Sequence, residues 1–217
     1  KETLRAELVE LLRMAKETLD LEDGMTIETA IANYEYFWKH YFSKEHDPSQ
    51  ILGQDNILKY VPQKNLWIRI EDLDDLKDIY LIIAACIVCK CPVQLSFDKN
   101  LSLKKFDFNV FSKLHVRFES KKEFLENITH VKNVRVRFIN SPSVDILDTL
   151  AKQGISVIVE KPCANGRIEL LKYLREVSIS RDYHRYGNLG DREAKERVPA
   201  ILGTLPSSCG VNCNCSR

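Results

Sequence analysis

The sequence predicts an α/β protein with a Rossmann-like, open and mainly parallel sheet, an N-terminal helical segment and a flexible C-terminal tail. Three observations lead to this fold class. Short runs rich in Val and Ile alternate with stretches of helical periodicity, the connections are short, and leucines recur at helical spacing before the first run. Regular alternation of strand and helix favours right-handed crossovers between parallel strands. We expect a helical segment over residues 1–60, a Rossmann-like domain with an extended C-terminal segment over 61–187, and a tail over 188–217.

The helical segment is predicted to hold two helices. The first is defined by leucines at helical spacing, namely Leu4, Leu8, Leu11 and Leu12. Asp23-Gly24 ends it or lies in the loop just after it, and Thr26 starts the second helix, which is broken at Asp47-Pro48. The second helix is rich in aromatic side chains, namely Tyr34, Tyr36, Phe37, Trp38, Tyr41 and Phe42. Such a helix buries most of its surface, either against the next domain or against sequence outside this chain.

The Rossmann-like domain is predicted to hold five strands and four helices. We expect the strands at residues 65–70, 92–98, 115–120, 133–140 and 155–161. We expect the helices at residues 72–90, 121–128, 144–154 and 166–176. The strands are short and rich in Val and Ile, which is typical of parallel strands covered on both faces.

An extended segment over residues 177–187 is predicted to follow the last helix. In a strand, one face carries Val177, Ile179 and Tyr183, and the other carries Ser178, Ser180 and Asp182. These two faces indicate either a strand that adds to another sheet edge or covers a neighbouring domain, or a sixth strand at the edge of its own sheet. The tail that follows is charged and then rich in small residues, so we expect little fixed structure there.

The composition excludes several classes of protein. Lys and Arg total 32 and Asp and Glu total 31, so the net charge of +1 offers no field for nucleic acid or an anionic membrane. The longest apolar run is too short for a membrane span, and the charged N-terminus has no signal-peptide core. Seven cysteines are an odd number, and three of them crowd together, which favours a reducing cytoplasm over a secreted disulfide framework.

A Rossmann-like sheet raises the question of a dinucleotide cofactor. Its phosphate site needs a glycine-rich turn after the first strand, where main-chain N–H groups approach the pyrophosphate. Here that turn carries four carboxylates and no glycine, namely Glu71, Asp72, Asp74 and Asp75. The segment from Ser141 to Ser143 at a helix N-terminus is a weak anion site, which ordinary capping explains better. We therefore predict no cofactor-binding residue in this segment.

The cysteines are candidate metal or redox residues. Cys86, Cys89 and Cys91 contain a CxxC pair, and Cys209, Cys213 and Cys215 in the tail could complete a zinc cluster. The spacing matches no standard zinc motif, and Cys86 and Cys89 fall in an apolar helix, where cysteine acts as a small hydrophobe. We predict buried or spare thiols and no metal ligand, and the role of the tail cysteines stays open.

No set of residues in the sequence predicts a catalytic site. The histidines are dispersed, at positions 40, 46, 115, 130 and 184, and no nucleophile elbow, HExxH pair or Walker loop is present. Glu45, His46 and Asp47 are adjacent in sequence and are expected to cap the preceding helix. Glu169 and Glu176 are expected on the solvated surface of the last helix. We predict no catalytic residue.

Two stretches resemble the aldehyde-dehydrogenase half of bacterial bifunctional proline-utilisation proteins. In residues 34–62 an aromatic helix precedes His-Asp-Pro, a polar step and the entry to a strand. The matching positions are His46, Asp47, Pro48, Gln54, Asp55, Asn56, Leu58, Tyr60 and Pro62. In residues 166–190 a helix ending in an Arg-Glu pair leads to an extended segment and a Gly-Asn step.

The resemblance implies a non-catalytic role beside an enzyme. The family couples an FAD-dependent proline dehydrogenase to an NAD-dependent dehydrogenase for L-glutamate γ-semialdehyde (1-pyrroline-5-carboxylate). Longer members carry a C-terminal Rossmann-like domain without active-site residues, which covers the dehydrogenase. The cysteines Cys86, Cys89, Cys91 and Cys163 lie outside the glycine-rich context of the family's nucleophile. The cysteine-rich tail departs from the family, which leaves the C-terminal boundary open.

The resemblance also implies cofactors and partners. It implies no cofactor in this segment, NAD in the parent protein, and FAD where the proline dehydrogenase half is present. The expected partners are the rest of the parent dehydrogenase and further copies in a homo-oligomer, with neither nucleic acid nor a membrane span. Two alternatives stay open: a small-ligand-binding or catalytic domain with its site at the carboxyl ends of the strands, and a cysteine-based metal or redox module.

Overall fold

Helices and strands alternate through most of the chain. The structure is a computed structural model that describes residues 2–51, 53–73, 75–101 and 108–182. The helices are α1 (Glu2–Thr18), α2 (Leu21–Phe37), α3 (Leu76–Cys89), α4 (Lys121–Thr129), α5 (Val144–Lys152) and α6 (Gly166–Glu169). A π-helical turn spans Trp38–Phe42, and 3₁₀ turns span Phe108–Val110 and Leu170–Tyr173. The strands are β1 (Glu45–His46), β2 (Gln54–Pro62), β3 (Leu66–Ile70), β4 (Val93–Asp98), β5 (Leu114–Glu119), β6 (Arg135–Phe138), β7 (Ser156–Ile158) and β8 (Leu174–Asp182).

Two compact units contain these elements. One unit comprises residues 1–43 and 61–175, and the other comprises residues 44–60 together with the described residues from Glu176 onward. The division of the chain into parts at residues 1–60, 61–187 and 188–217 stays a prediction. The tail after residue 187 lies outside the described residues, as do Tyr183, His184 and the cysteines Cys209, Cys213 and Cys215.

A five-stranded parallel sheet forms the centre of the larger unit. Its strand order is β5-β4-β3-β6-β7, and every neighbouring pair is parallel. The first strand of this sheet, β3, therefore lies in the middle, and the chain builds outward first on one side and then on the other. The predicted α/β fold class, with N-terminal helices and a parallel sheet, is confirmed.

The two faces of this sheet are covered by different helices. On one face α4 and α5 pack on an apolar cluster that includes Trp67, Phe124, Phe138 and Leu150. On the other face lies α3, which is buried from Asp78 to Cys89, and both α1 and α2 pack on it. The uninterrupted apolar sequence of α3 is typical of a helix covered on all sides.

α6 packs against the C-terminal part of α2 at very short range. A Cβ atom on Gly166 would lie 3.0 Å from the main-chain oxygen of Asn33 and from the Cα of Tyr34. The Asn33 side chain accepts a hydrogen bond of 2.7 Å from the Gly166 N–H, and the Tyr34 hydroxyl donates to the carbonyl of Cys163. Only glycine fits at this contact without a shift of one of the two main chains.

The smaller unit contains a three-stranded sheet with the order β1-β2-β8. β1 and β2 are antiparallel, with Glu45 opposite Lys59 and His46 opposite Leu58. The prediction of helical structure through residue 60 was therefore wrong. β2 is half-buried along its length, and its polar side chains weaken the apolar alternation that would have identified it.

Three predicted helix boundaries were also wrong. Gly24 lies inside α2, because Asp20 caps that helix by accepting a hydrogen bond from the Asp23 N–H, and the break falls before Leu21. The aromatic helix ends in its π-helical turn at Phe42, ahead of the expected break at Asp47-Pro48. The last helix changes to a 3₁₀ turn after Glu169 and then becomes β8 at Leu174. Within the described residues, no helix is long and apolar enough to cross a bilayer.

Candidate ligand crevice at the carboxyl edge of the parallel sheet

The strand order identifies where a ligand crevice would lie. β3 pairs with β4 on one side and with β6 on the other, so the winding direction reverses between β3 and β6. Open α/β sheets bind ligands outside the carboxyl ends of the strands at this reversal. The residues that follow the two strands here are Glu71 and Asp72 after β3, and Asn140 after β6.

Asn140 connects the two sides of this crevice. Its side-chain oxygen accepts hydrogen bonds from the N–H groups of Glu71, at 3.0 Å, and Asp72, at 3.4 Å. Its side-chain amide donates to the Asp72 carboxylate at 2.8 Å. In a dinucleotide site the N–H groups of this turn would face the pyrophosphate. Here the Asn140 side chain accepts the hydrogen bonds of these N–H groups. Two acidic residues, Glu71 and Asp72, stand where glycines would be expected.

Arg69 extends the polar contacts across three strands. It is buried on β3, and its Nη1 donates to Ser96 Oγ at 3.1 Å and to the main-chain oxygen of Glu119 at 3.0 Å. Its Nη2 donates to Asp98 Oδ2 at 3.2 Å, and its Nε lies 3.6 Å from Glu71 Oε1. The guanidinium thus holds together the carboxyl ends of β3, β4 and β5.

A second buried arginine lies on the opposite face of the sheet. Arg137 of β6 is fully buried, and its Nη1 donates to the Glu169 carboxylate and to the Tyr173 hydroxyl. Its Nη2 donates to the main-chain oxygen of Glu160 at 3.0 Å. The second oxygen of Glu169 accepts a hydrogen bond from the Cys163 N–H at 3.1 Å. These contacts fix the segment after β7 to the sheet.

Burial and charge both act on the side chains of this network. Burial raises the pKa of Tyr173 well above its ordinary value; Arg137 opposes that increase and Glu169 adds to it. Burial acts to lower the pKa of Arg137, but Tyr173 and Glu169 outweigh it and the pKa is raised. Burial, followed by the charge of Glu169, raises the pKa of Tyr34 as well. Arg137 therefore stays charged and both tyrosines stay neutral at physiological pH.

The cysteines in α3 and just after it are buried in the core. Cys86, Cys89 and Cys91 are at most 1% exposed, and burial raises the pKa of each thiol, for Cys91 to about 12. Nucleophilic attack and metal binding need the thiolate, which this environment disfavours. The part of the chain that the structure describes holds no group of three or more His, Cys, Asp and Glu side chains that could bind a metal ion.

Three further candidate residues, Glu45, His46 and Asp47, serve the local structure. Glu45 and His46 form β1 instead of capping a helix, and Asp47 accepts hydrogen bonds from the N–H groups of Ser49, Gln50 and Asn56, which close the turn before β2. These hydrogen bonds outweigh burial and lower the pKa of Asp47.

The serines before α5 do not cap that helix as expected. Ser143 occupies the N-cap position of α5 without a side-chain hydrogen bond to the helix. Its hydroxyl instead accepts a hydrogen bond of 2.8 Å from Lys121. The prediction that capping explains these serines is therefore correct for the position of Ser143 but wrong for its side chain.

The prediction of a solvated Glu169 was wrong. It was expected on the solvated surface but is fully buried against Arg137, whereas Glu176 is exposed on β8 as expected. Arg69, Arg137 and Asn140 were also missed. A signal for the arginines was present, since a charged residue in a strand that is covered on both faces needs a buried partner.

Comparisons with known proteins identify the fold. No protein-family model and no curated protein matches the chain. Proline utilization A from Corynebacterium freiburgense is similar in structure, with a TM-score of 0.51 and 22% identity over 74% of this chain and 14% of that chain. Betaine aldehyde dehydrogenase from Staphylococcus aureus, determined in complex with NAD⁺, gives a TM-score of 0.52 and 14% identity over 74% of this chain and 36% of that chain.

The chain therefore has an aldehyde-dehydrogenase-like fold. It spans 14% of the length of the first of these structures and 36% of the length of the second. At these identities the similarity describes the fold alone.

Proposed function

We propose that this chain is a non-catalytic C-terminal domain of a proline-catabolic, NAD-dependent L-glutamate γ-semialdehyde dehydrogenase. In this role it covers the active-site region of the parent enzyme, mediates its assembly, or does both. The observation that carries the proposal lies in the crevice at the carboxyl edge of the sheet. There the Asn140 side chain accepts the hydrogen bonds of the Glu71 and Asp72 N–H groups, which a bound dinucleotide would need.

The aldehyde-dehydrogenase-like fold supports the superfamily part of this proposal. The link to proline catabolism comes from the resemblance over residues 34–62 and 166–190, and one structural neighbour is named proline utilization A. In the proposal, NAD binds to the parent enzyme, FAD binds where a proline dehydrogenase half is present, and this domain binds neither.

β8 is the element that we propose to contact a partner. It lies at one edge of the three-stranded sheet, and most of its side chains are exposed. Ile179 is 38% exposed, and Val177 on the same face is half-buried, whereas Ser178 and Ser180 on the other face are exposed. Tyr183, which the sequence places on the same face as Ile179, lies outside the described residues. The proposed partners are the rest of the parent dehydrogenase and a second copy of it.

Thermal unfolding with cofactors tests the non-catalytic part of the proposal. The 217-residue chain should show the same Tm with 1 mM NAD⁺, NADP⁺ or FAD as without them. A site with a Kd near ~10 µM would add about 2.7 kcal/mol of apparent stability at that concentration. At this chain length such a gain raises the Tm by roughly 5–10 °C. A saturable increase of that size would favour a ligand-binding or catalytic domain instead.

A charge on the apolar face of β8, which carries Val177 and Ile179, tests whether this domain mediates assembly of the parent enzyme. Ile179→Asp should leave the circular dichroism spectrum of the isolated chain unchanged and should dissociate the parent enzyme in gel filtration. Ser178→Asp places the same charge on the opposite face and serves as the matched control, with assembly retained. Unfolding of the isolated chain by Ile179→Asp would instead identify β8 as a strand required within its own sheet, since a buried unpaired charge costs several kcal/mol.

A further inference from the structure

The segment that joins β7 to β8 lies over one face of the parallel sheet. This segment, here called the strap, comprises residues 159–173 and contains α6 and the 3₁₀ turn at Leu170–Tyr173. Each of these two helical elements has four residues. Helices of that length are not stable alone, so the strap depends on contacts with other elements for its position.

Two arginines of β6 hold the strap on the sheet. Arg137 donates to the Glu160 carbonyl near the start of the strap and to Glu169 and Tyr173 near its end. Arg135 lies two residues earlier and therefore on the same face, and it donates to the carbonyl of Lys172 at 2.8 Å. Side chains of a single strand thus fix both ends of the strap.

The strap buries few large apolar side chains. Leu170 and Tyr173 are fully buried, whereas Ile168 and Leu171 are 56% and 42% exposed. Segments with few buried apolar contacts open at a lower free-energy cost than the core of a domain. The strap therefore meets the physical conditions for local opening.

Two buried thiols lie behind the strap. Cys86 and Cys89 belong to α3, which is in contact with the 3₁₀ turn of the strap. Burial is the main cause of the raised pKa of both thiols, and the charge of Glu169 adds to the increase in each. The carboxylate that Arg137 holds is thus close enough to act on both sulfur atoms.

A third thiol is linked to the strap through one main-chain group. Cys91 donates from its Sγ to the main-chain oxygen of Gln63 at 3.3 Å. The N–H of Gln63 donates to the main-chain oxygen of Tyr173 at 2.8 Å. A movement of the end of the strap therefore removes a contact of the residue that holds Cys91.

We propose that the strap is a lid over Cys86, Cys89 and Cys91, and that it opens while the sheet stays folded. In the closed state each of these residues is at most 1% exposed, so electrophiles do not reach the sulfur atoms. In the open state the strap no longer covers α3, and a small electrophile reaches all three thiols. The hydrogen bonds from β6 keep the lid closed. The inference does not rest on the proposed function, since its contacts all lie within the larger unit.

Labelling of the full chain with iodoacetamide, followed by mass spectrometry of each cysteine-containing peptide, tests this proposal. In the reaction the thiol gives its proton to the buffer, its sulfur bonds to the methylene carbon, and iodide leaves. We expect Cys86, Cys89 and Cys91 to react together. Their rate should not change with urea below the unfolding transition, because local opening exposes little surface. The half-exposed Cys163 is the internal reference for a thiol outside the core.

Three substitutions separate opening of the lid from global unfolding. Tyr173→Phe removes a hydroxyl from the Arg137 network and should accelerate labelling of the three thiols about tenfold. Arg135→Met removes the hydrogen bond to Lys172 and should accelerate labelling several-fold, which tests the lid even if Tyr173→Phe does not fold. Leu150→Ala creates a cavity on the other face of the sheet. It should lower global stability and leave the labelling rate without urea unchanged.

Three results would overturn the proposal. The first is a labelling rate that rises with urea as steeply as the globally unfolded fraction. The second is equal acceleration by Leu150→Ala and Tyr173→Phe, because the thiols would then be exposed only when the whole domain unfolds. The third is complete protection of the three thiols in the native chain and in the folded strap variants, which would show that the strap stays closed.

Discussion

The two buried arginines of the sheet differ in how their charge is balanced. Arg69 and Arg137 lie on the neighbouring strands β3 and β6, one residue apart in register, and face opposite sides of the sheet. Arg137 has one fully buried carboxylate partner, Glu169. Both arginines also donate to a main-chain oxygen and a hydroxyl group, but Arg69 has two carboxylate partners, Asp98 and Glu71, whose side chains are 25% and 36% exposed.

This difference predicts unequal tolerance of substitution. When the one buried carboxylate partner of a charge is removed, no other group can take its place. When one of two partly exposed partners is removed, water or the second carboxylate can compensate. The Arg137 network is therefore the part of the sheet where a single change should do most damage, and the Arg69 network should absorb the equivalent change.

The largest effect is expected from Glu169→Gln. It leaves Arg137 charged and buried without its carboxylate, which should lower the free energy of unfolding by about 3–5 kcal/mol. Urea unfolding followed by circular dichroism measures the loss. The exposed Glu176→Gln is the matched control and should stay within about 0.5 kcal/mol of the native chain.

A second substitution that restores folding to Glu169→Gln would separate the effect of the unpaired charge from the effect of altered packing. If Glu169→Gln does not fold, the double variant Arg137→Met with Glu169→Leu should fold, because apolar side chains of similar volume often replace a buried ion pair. A loss below about 1 kcal/mol in Glu169→Gln would contradict the view that this carboxylate is irreplaceable.

Tyr173→Phe should have the next largest effect. The hydroxyl accepts from Arg137 and donates to Glu169 at 2.6 Å, so its removal leaves two buried groups short of one partner each. We expect a loss of about 1–3 kcal/mol in the same urea experiment. In combination with Glu169→Gln the two losses should be clearly non-additive, since both act on Arg137. Strict additivity would mean that the three side chains do not act together.

Asp98→Asn should cost less than either change around Arg137. Asp98 is one of two carboxylates near Arg69, and its side chain is partly exposed, so we expect a loss of about 1 kcal/mol or less. The loss should shrink further in 0.5 M salt, which screens partly exposed pairs more than buried ones. An effect as large as that of Glu169→Gln would remove the contrast between the two networks.

The smallest effect, of opposite sign, is expected from Asp78→Asn. Burial raises the pKa of Asp78 and the charge of Asp75 adds to the increase, so the ionised form is disfavoured in the folded state. Its charge therefore costs stability at neutral pH, and this cost disappears as the pH falls through the raised pKa. The variant should gain less than about 1 kcal/mol at pH 7. The gain should diminish toward pH 4, as urea midpoints at the two pH values would show.

The sequence predicted the parallel sheet well, because its strands have a simple pattern. β3, β4 and β5 and the helices α4 and α5 begin within two residues of their predicted positions, since short apolar runs there are separated by polar turns. β2 was missed because its pattern of mixed polar and apolar side chains is that of a half-buried strand in a small sheet. Pairing with β1 and β8 stabilises it, and such partners are not visible in local sequence.

The residues of the crevice were predictable only in part. The acidic turn after β3 was visible in the sequence, but Asn140, which closes it, lies 68 residues further along the chain. Glu169 was misplaced because a carboxylate on a helix is solvated by default, and its buried partner lies far away in the sequence. The change to a 3₁₀ turn after Glu169 alters the side-chain spacing, and the pairing with Arg137 spans 32 residues.

The contact between α2 and α6 has a consequence for synthesis of the chain. Asn33 and Tyr34 meet Gly166 and Cys163, so the main-chain and side-chain contacts span 133 and 129 residues. Contacts of such long sequence separation slow folding, because the intervening chain must be ordered first. At roughly 5–20 residues per second, the aromatic side of α2 waits on the order of ten seconds on the ribosome before its partner emerges. During that interval this side of α2 lacks the segment that covers it in the folded chain.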